Sequence, residues 1–199
     1  MSGLDLPNIQ GFVVRGYRLP FAGYLLLHIV DGPGARALLA DVLDDVLVAA
    51  AWSQKPESGL NLAVSYQGLR ALGLPDTSLA GFPEDFREGM AARAGLLGDT
   101  GASTPERWEP GFLDPGVHVL AMISAQTEDA LRAHDRRLRD RIERSGALSV
   151  VADQVGAALA QGTEHFGFVD GFAQPAIDGS GVDALPGQGA PGPGDRGSA

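Results

Sequence analysis

Residues 24–30, YLLLHIV, run directly into the turn-forming sequence DGPG at residues 31–34. A short run of aromatic, β-branched and leucine side chains is typical of a buried strand, and the glycines and proline stop it. Residues 35–51 contain neither glycine nor proline, and apolar side chains recur there at helical spacing, at Leu38, Val42, Val46 and Ala49. The sequence therefore predicts a strand, a turn and a helix packed against the strand.

A second strand is predicted at residues 60–66, LNLAVSY, where apolar side chains alternate with small or polar ones. Residues 67–72 can form a short helical turn, because a glycine and a proline follow at 73 and 75. Residues 76–115 hold many of the glycines and prolines of the chain. We predict an irregular insertion there, with one helix at residues 83–94.

Regular patterns return with a third strand, predicted at residues 117–123, VHVLAMI. A helix is predicted at residues 127–144, where the hydroxyl of Thr127 can cap the first turn and two acids follow it. Its arginines could suggest contact with nucleic acid, but acids and arginines alternate at four-residue spacing beside an apolar stripe. We interpret this helix as solvated on its charged face. Residues 147–155, ALSVVADQV, predict a fourth strand.

The order of these elements is β-α-β, insertion, β-α-β. Two such units side by side form an α+β fold, the ferredoxin-like split βαβ sandwich, with a four-stranded antiparallel sheet and both helices on one face. We expect the first and third strands to be central. The predicted domain covers residues 1–178, with the insertion at about 76–115, and residues 179–199 form a flexible tail rich in glycine and proline.

Composition excludes several classes of function. The 199 residues carry 15 basic and 25 acidic side chains, a net charge of -10, which disfavours nucleic acid and anionic membranes as partners. The absence of cysteine excludes disulfides, thiolate catalysis and iron-sulfur clusters. Residues 1–10 show no signal for export, and the longest apolar runs are about half of the ~20 residues that a membrane helix needs. We therefore expect a cytoplasmic protein.

One segment carries residues suited to chemistry, namely residues 164–175, EHFGFVDGFAQP. It contains the pentapeptide GFVDG at 167–171. Taken alone, an aspartate between glycines indicates an Asx-turn. The surrounding residues, however, resemble the distal heme motif of dye-decolorizing peroxidases. The resemblance extends to NIQG at residues 8–11, RGY at 15–17 and the strand at 24–29.

This resemblance implies two ferredoxin-like domains with heme b between them. Asp170 would be the distal acid–base group, which takes a proton from one oxygen of hydrogen peroxide and returns it to the other. The neighbouring positions that would line the heme are Gly167, Phe168, Val169, Gly171 and Phe172. Glycines there would let the backbone pass close to the flat macrocycle. Val169 departs from the family, in which this position is often arginine.

The resemblance covers only the N-terminal half of such an enzyme. In the family, the histidine that ligates iron and a distal arginine both come from the second half, and we assign no metal ligand among the four histidines of this chain. We therefore expect a truncated portion that is inactive alone and exposes Phe166, Phe168 and Phe172 as an apolar patch. Its expected partners are hydrogen peroxide, an organic electron donor and the missing half, with self-association as a consequence of the patch.

Two alternatives remain open. The chain could be a non-catalytic ferredoxin-like binding or interaction module that keeps the motif by descent. It could also be one half of a split peroxidase whose other half is a separate chain.

Overall fold

A computed structural model describes residues 4–14, 16–109, 111–113, 116–159, 162–169 and 177–181. Within these ranges the chain forms one four-stranded antiparallel sheet in the order β2-β3-β1-β4. Its strands are β1 (Phe21–Ile29), β2 (Ser58–Val64), β3 (Val119–Ala125) and β4 (Leu148–Ala157). The first and third strands are central, as predicted. The ferredoxin-like α+β fold is confirmed.

Two helices cover one face of the sheet, α1 (Gly32–Asp41) and α6 (Glu128–Ser145). Alternate residues of the strands point towards these helices. The side chains almost fully buried on this face are Leu25, Leu27, Leu60, Val119, Ala121 and Ile123. From α6 the stripe of Leu131, Leu138 and Ile142 completes this core. Thr127 caps α6 as predicted, since its Oγ1 accepts a hydrogen bond from Ala130 N at 3.1 Å.

The first helix is shorter than the 35–51 predicted. It begins earlier, at Gly32, because Asp31 caps it by accepting from Gly34 N and Pro33 suits the first turn. It ends at Asp41, where aspartates oppose the helix dipole and valines lose rotamer freedom. Residues 46–48 then run along the edge of β2, where Leu47 N donates to Leu60 O at 2.9 Å. Pairing with the sheet replaces the predicted helical turns.

Gln10 also satisfies the edge of β2, which the sequence did not indicate. Its amide donates from Nε2 to Leu62 O at 2.7 Å, and its Oε1 accepts from Leu62 N at 2.8 Å. The same Oε1 accepts from Asn61 Nδ2 at 3.0 Å. One glutamine side chain thus takes the place of a neighbouring strand at this point.

The insertion contains more helix than predicted. The helix α2 (Tyr66–Ala71) lies just before the insertion. Within the insertion are α3 (Asp76–Leu79), α4 (Glu84–Ala92) and α5 (Ala94–Leu97), followed by short 3-10 turns at Gly101–Ser103 and Pro105–Arg107. The helix predicted over 83–94 is not continuous, because Gly89 takes a non-helical conformation with φ of 74°. Further 3-10 turns lie at Leu6–Asn8, Gly11–Val13 and Leu43–Asp45.

The predicted strands are in place with small shifts of their ends. Of the predicted tail, only residues 179–181 are among those described, so its flexibility remains a prediction. Within the described ranges, no helix has both the length and the apolar content needed to cross a membrane.

Candidate functional site

The first half of the predicted heme motif forms a closed turn after β4. Thr163 and Val169 form an antiparallel bridge, and Glu164 N donates to Phe168 O at 2.8 Å. Inside this turn, Gly167 N donates to Glu164 O at 2.9 Å. Gly167 has a φ of 88°, a left-handed conformation that other residues rarely adopt. The glycine is thus required by the turn itself.

Apolar side chains of this turn are exposed. The exposed fraction is 87% for Phe166, 72% for Phe168 and 67% for Val169. A Cβ built on Gly167 would meet nothing within 4 Å. The prediction that Phe166 and Phe168 are exposed is confirmed. The surface around Gly167 is open and apolar, which suits a flat hydrophobic group.

Asp170, Gly171 and Phe172 lie outside the described residues. Their assigned roles, acid–base chemistry for Asp170 and contact with heme for the other two, therefore remain predictions. The structure brings Gly167, Phe168 and Val169 together in one turn that leads directly to Asp170.

Two of the histidines stack on each other at the end of the central strands. The ring centroids of His28 and His118 are 4.2 Å apart. Ile29 N donates to His118 Nδ1 at 3.1 Å, while His28 Nδ1 lies 3.0 Å from Gly116 O and donates to that carbonyl. Burial, and then the charge of His28, lower the pKa of His118. Both rings are engaged in the sheet, as expected for structural histidines.

His134 has an environment that the sequence did not reveal. Although its neighbours along α6 are charged, its side chain is only 3% exposed and its Nδ1 lies 3.0 Å from Ser58 Oγ on β2. Burial lowers its pKa more than the carboxylate of Asp45 raises it. The position of His134, three residues after Leu131 and four before Leu138, was the available signal, because it places the ring on the apolar stripe.

Within the part of the chain that the structure describes, no three or more potential metal-binding side chains form a group. Along α6, two ion pairs have the four-residue spacing of the charge pattern, Glu128 with Arg132 and Asp135 with Arg139. Arg139 binds Asp135 one turn earlier at 2.9 Å, and it also reaches Asp153 on β4 at 2.6 Å. Arg141 binds Asp45 at 2.7 Å. These contacts support a helix face held by ion pairs rather than one prepared for nucleic acid.

The curated proteins that this chain resembles in sequence are named peroxidases. Peroxidase 2 of Mycetinis scorodonius is 31% identical over 199 aligned positions, which cover 96% of this chain and 38% of that protein. A dye-decolorizing peroxidase of Mycena epipterygia is 28% identical, covering 94% of this chain and 35% of the relative. This chain therefore spans little more than a third of the length of these relatives.

The solved structures that this chain resembles are also dye-decolorizing peroxidases. An ancestral D-type dye decolorizing peroxidase superposes with a TM-score of 0.84 at 27% identity, covering 97% of this chain and 44% of that one. The dye-decolorizing peroxidase of Auricularia auricula-judae gives a TM-score of 0.78 at 26% identity, covering 93% of this chain and 41% of its own. The family model of the DyP dimeric alpha+beta barrel domain matches residues 8–158. The chain thus belongs to the dye-decolorizing peroxidase family, as a member that contains its DyP dimeric alpha+beta barrel domain.

Proposed function

We propose that this chain forms the distal wall of a heme peroxidase site, in which hydrogen peroxide drives the oxidation of a bulky organic donor. The observation that carries the proposal is the turn at residues 163–169, because it exposes apolar side chains and runs directly into Asp170. Membership of a family whose relatives are named peroxidases supports it.

The described residues suit one side of a heme. Phe168 and Val169 offer an exposed apolar surface, and Gly167 leaves open space where a side chain would stand. When bound, heme b would supply the iron at which peroxide is activated. Gly167, Phe168, Val169, Gly171 and Phe172 would contact the macrocycle and keep bulk water away from it.

Asp170 would act as the general acid–base group that transfers the proton. Its carboxylate, ionised at the start, would accept a proton from one oxygen of hydrogen peroxide and deliver it to the other as the O–O bond breaks, so that this second oxygen leaves as water with the bonding electron pair. The remaining oxygen would be reduced to water by two electrons that heme, when bound, would pass on from the organic donor. A single side chain can serve both steps because the two oxygens are adjacent.

We propose that the iron ligand and a second polar group come from a partner half, supplied in the same protein or by another chain. The share of the relatives that this chain spans supports this. Peroxide, an organic donor and this half are therefore the proposed partners. The cytoplasmic location and self-association expected from the sequence stay predictions.

The first experiment is a titration of the purified chain with hemin, followed by the Soret band. We expect weak binding that Phe168→Glu reduces, because the charge would have to be buried against the macrocycle. Val155→Glu is the matched control, since Val155 is equally exposed but lies on β4 outside the turn. Equal effects of both variants would contradict the placement of heme at this turn.

The second experiment measures peroxide-dependent oxidation of an organic dye by the chain alone and joined to the C-terminal part of a family member. We expect turnover only with the second half, and a loss of roughly 10²–10⁴-fold in Asp170→Asn, the usual contribution of a general acid–base group. Asp178→Asn serves as the control carboxylate. A complex that binds heme and turns over equally well with Asp170→Asn would refute the role of Asp170. Failure of every form to bind heme would favour the non-catalytic module.

A further inference from the structure

A cavity of about 650 Å³ lies between the sheet and the insertion. Its floor comes from the face of the sheet that α1 and α6 do not cover, with Leu26 of β1 and Leu120 of β3, which are register partners. Its other walls come from α2, from α4 and from Trp108, Phe112 and Leu113. The volume falls within the roughly 300–1,000 Å³ of typical small-molecule sites.

Aromatic rings form much of its wall, and they hold each other in place. Tyr66 and Phe86 meet edge to face, with ring centroids 6.2 Å apart and planes at 83°. Phe82 supports Phe86 from behind at 5.2 Å. Trp108 and Phe112 contribute further rings to the lining. Such preformed aromatic walls favour a flat aromatic ligand, since edge-to-face and offset contacts add to the gain from apolar burial.

Several polar groups of the lining already have partners within the chain. Ser65 Oγ donates to Val117 O at 2.8 Å and accepts from Gly68 N at 3.1 Å. Trp108 Nε1 donates to Ser103 O at 3.1 Å. His118 Nδ1 is occupied by Ile29 N, as described above. A ligand in this cavity would therefore gain little from many hydrogen-bonding groups of its own.

The charges around the cavity also balance. Two acids and two arginines line it, namely Asp85, Glu88, Arg87 and Arg93. Arg93 stands between the two carboxylates, 3.7 Å from Asp85 and 3.8 Å from Glu88. A charged ligand that separated these ion pairs would lose their stabilisation. The four charges sum to zero, so together they favour neither an anion nor a cation.

We propose that this cavity binds an uncharged, planar aromatic molecule. The proposal does not rest on the proposed peroxidase function, because none of the described residues 162–169 lines the cavity. Met90, which is 64% exposed, stands at its open side and offers a position that can be changed without disturbing the core.

The test uses N-phenylnaphthylamine, an uncharged dye whose fluorescence rises in apolar surroundings. We expect saturable binding of one dye per chain, with energy transfer from tryptophan to the dye. Trp108→Phe should reduce both this transfer and the affinity, because Trp108 lines the cavity, whereas Trp52→Phe changes a ring outside the lining and should leave the affinity as it was. The anionic dye anilinonaphthalene sulfonate should bind at least tenfold more weakly, on the order expected when one charge lacks a partner.

Three charge substitutions locate the site. Met90→Glu should weaken binding of the neutral dye by about tenfold, because the substitution places a carboxylate at the mouth of an apolar cavity. Phe168→Glu and Val155→Glu change equally exposed side chains elsewhere and should leave the affinity as it was. Circular dichroism and the urea midpoint confirm that each variant is folded.

The opposite pattern overturns the proposal. Loss of dye binding in Phe168→Glu or Val155→Glu, with Met90→Glu unaffected, would place the dye on the exposed surface near β4. Binding that does not saturate would show non-specific adsorption of the dye to apolar surface and no defined site. A change of oligomeric state in Met90→Glu, measured by light scattering, would make this face a protein interface rather than a small-molecule site.

Discussion

The two faces of the sheet differ in how they are covered, although the same strands form both. Beneath α1 and α6, Leu25, Leu27 and Ile123 are packed to nearly complete burial. On the other face, Leu26 and Leu120 border a cavity under the insertion. One face of the strands thus packs into the core that stabilises the domain. The neighbouring residues of the same strands point to the other face, where a cavity can hold a ligand.

The largest expected effect tests this difference with adjacent leucines. Leu27→Ala should lower the free energy of unfolding by about 2–5 kcal/mol, because close neighbours cannot fill the space it leaves. Leu26→Ala should cost about half as much, since part of its surroundings is already open. Urea denaturation followed by circular dichroism measures both values. Equal losses would mean that the insertion packs against the sheet as tightly as the helices do.

A second effect, smaller than that of Leu27, concerns pH and the helix-covered face. The folded state holds the pKa of His134 below its ordinary value of 6.5, so as pH falls through 6.5 the unfolded chain takes up the proton first. The stability from neutral His134 is therefore full above pH 6.5 and declines below it, until the lowered folded pKa is passed. His118 acts in the same direction on the other face.

The measurement is the free energy of unfolding at several values between pH 7.5 and 5. We expect His134→Gln to reduce the acid-induced loss, because glutamine can bind Ser58 without titrating. His165→Gln is the control, since His165 is exposed in the turn. Parallel curves for the wild-type chain and His134→Gln would show that His134 contributes nothing to the acid sensitivity.

The smallest effect compares two threonines that precede helical turns on opposite faces. Thr127→Ala should cost about 1 kcal/mol, because the Oγ1 that caps α6 is lost. Thr100 also precedes a turn, in the insertion, but its side chain makes no capping hydrogen bond. Thr100→Ala should therefore stay within about 0.5 kcal/mol of the wild-type chain. A cost at Thr100 equal to that at Thr127 would contradict this difference.

Much of the fold could be predicted because its signals are local. A continuous apolar run marked β1, alternation at period two marked β2, and the helical stripe through Leu131, Leu138 and Ile142 marked α6. The cap at Thr127 lies within three residues of its partner. The edge of β2 could not be predicted in this way, because Gln10 bonds to Leu62 across 52 residues of sequence.

The same distinction applies to the candidate site. Gly167 was predicted as a position where the backbone passes close to a macrocycle, and its positive φ gives a second, local reason for a glycine there. The exposure of Phe168 was inferred from the resemblance to the family, and it is confirmed. The cavity above Leu26 and Leu120 gave no signal in the sequence, since its walls come from segments far apart along the chain.

The sequence by itself determined the order of strands and helices, the apolar stripe of α6 and the family motif, because each depends on neighbouring residues. Only the tertiary structure decided where the insertion covers the sheet, how His134 becomes buried beside Ser58 and how His28 stacks on His118. Those outcomes depend on contacts between distant residues, whose free energy is gained only when the whole chain is packed.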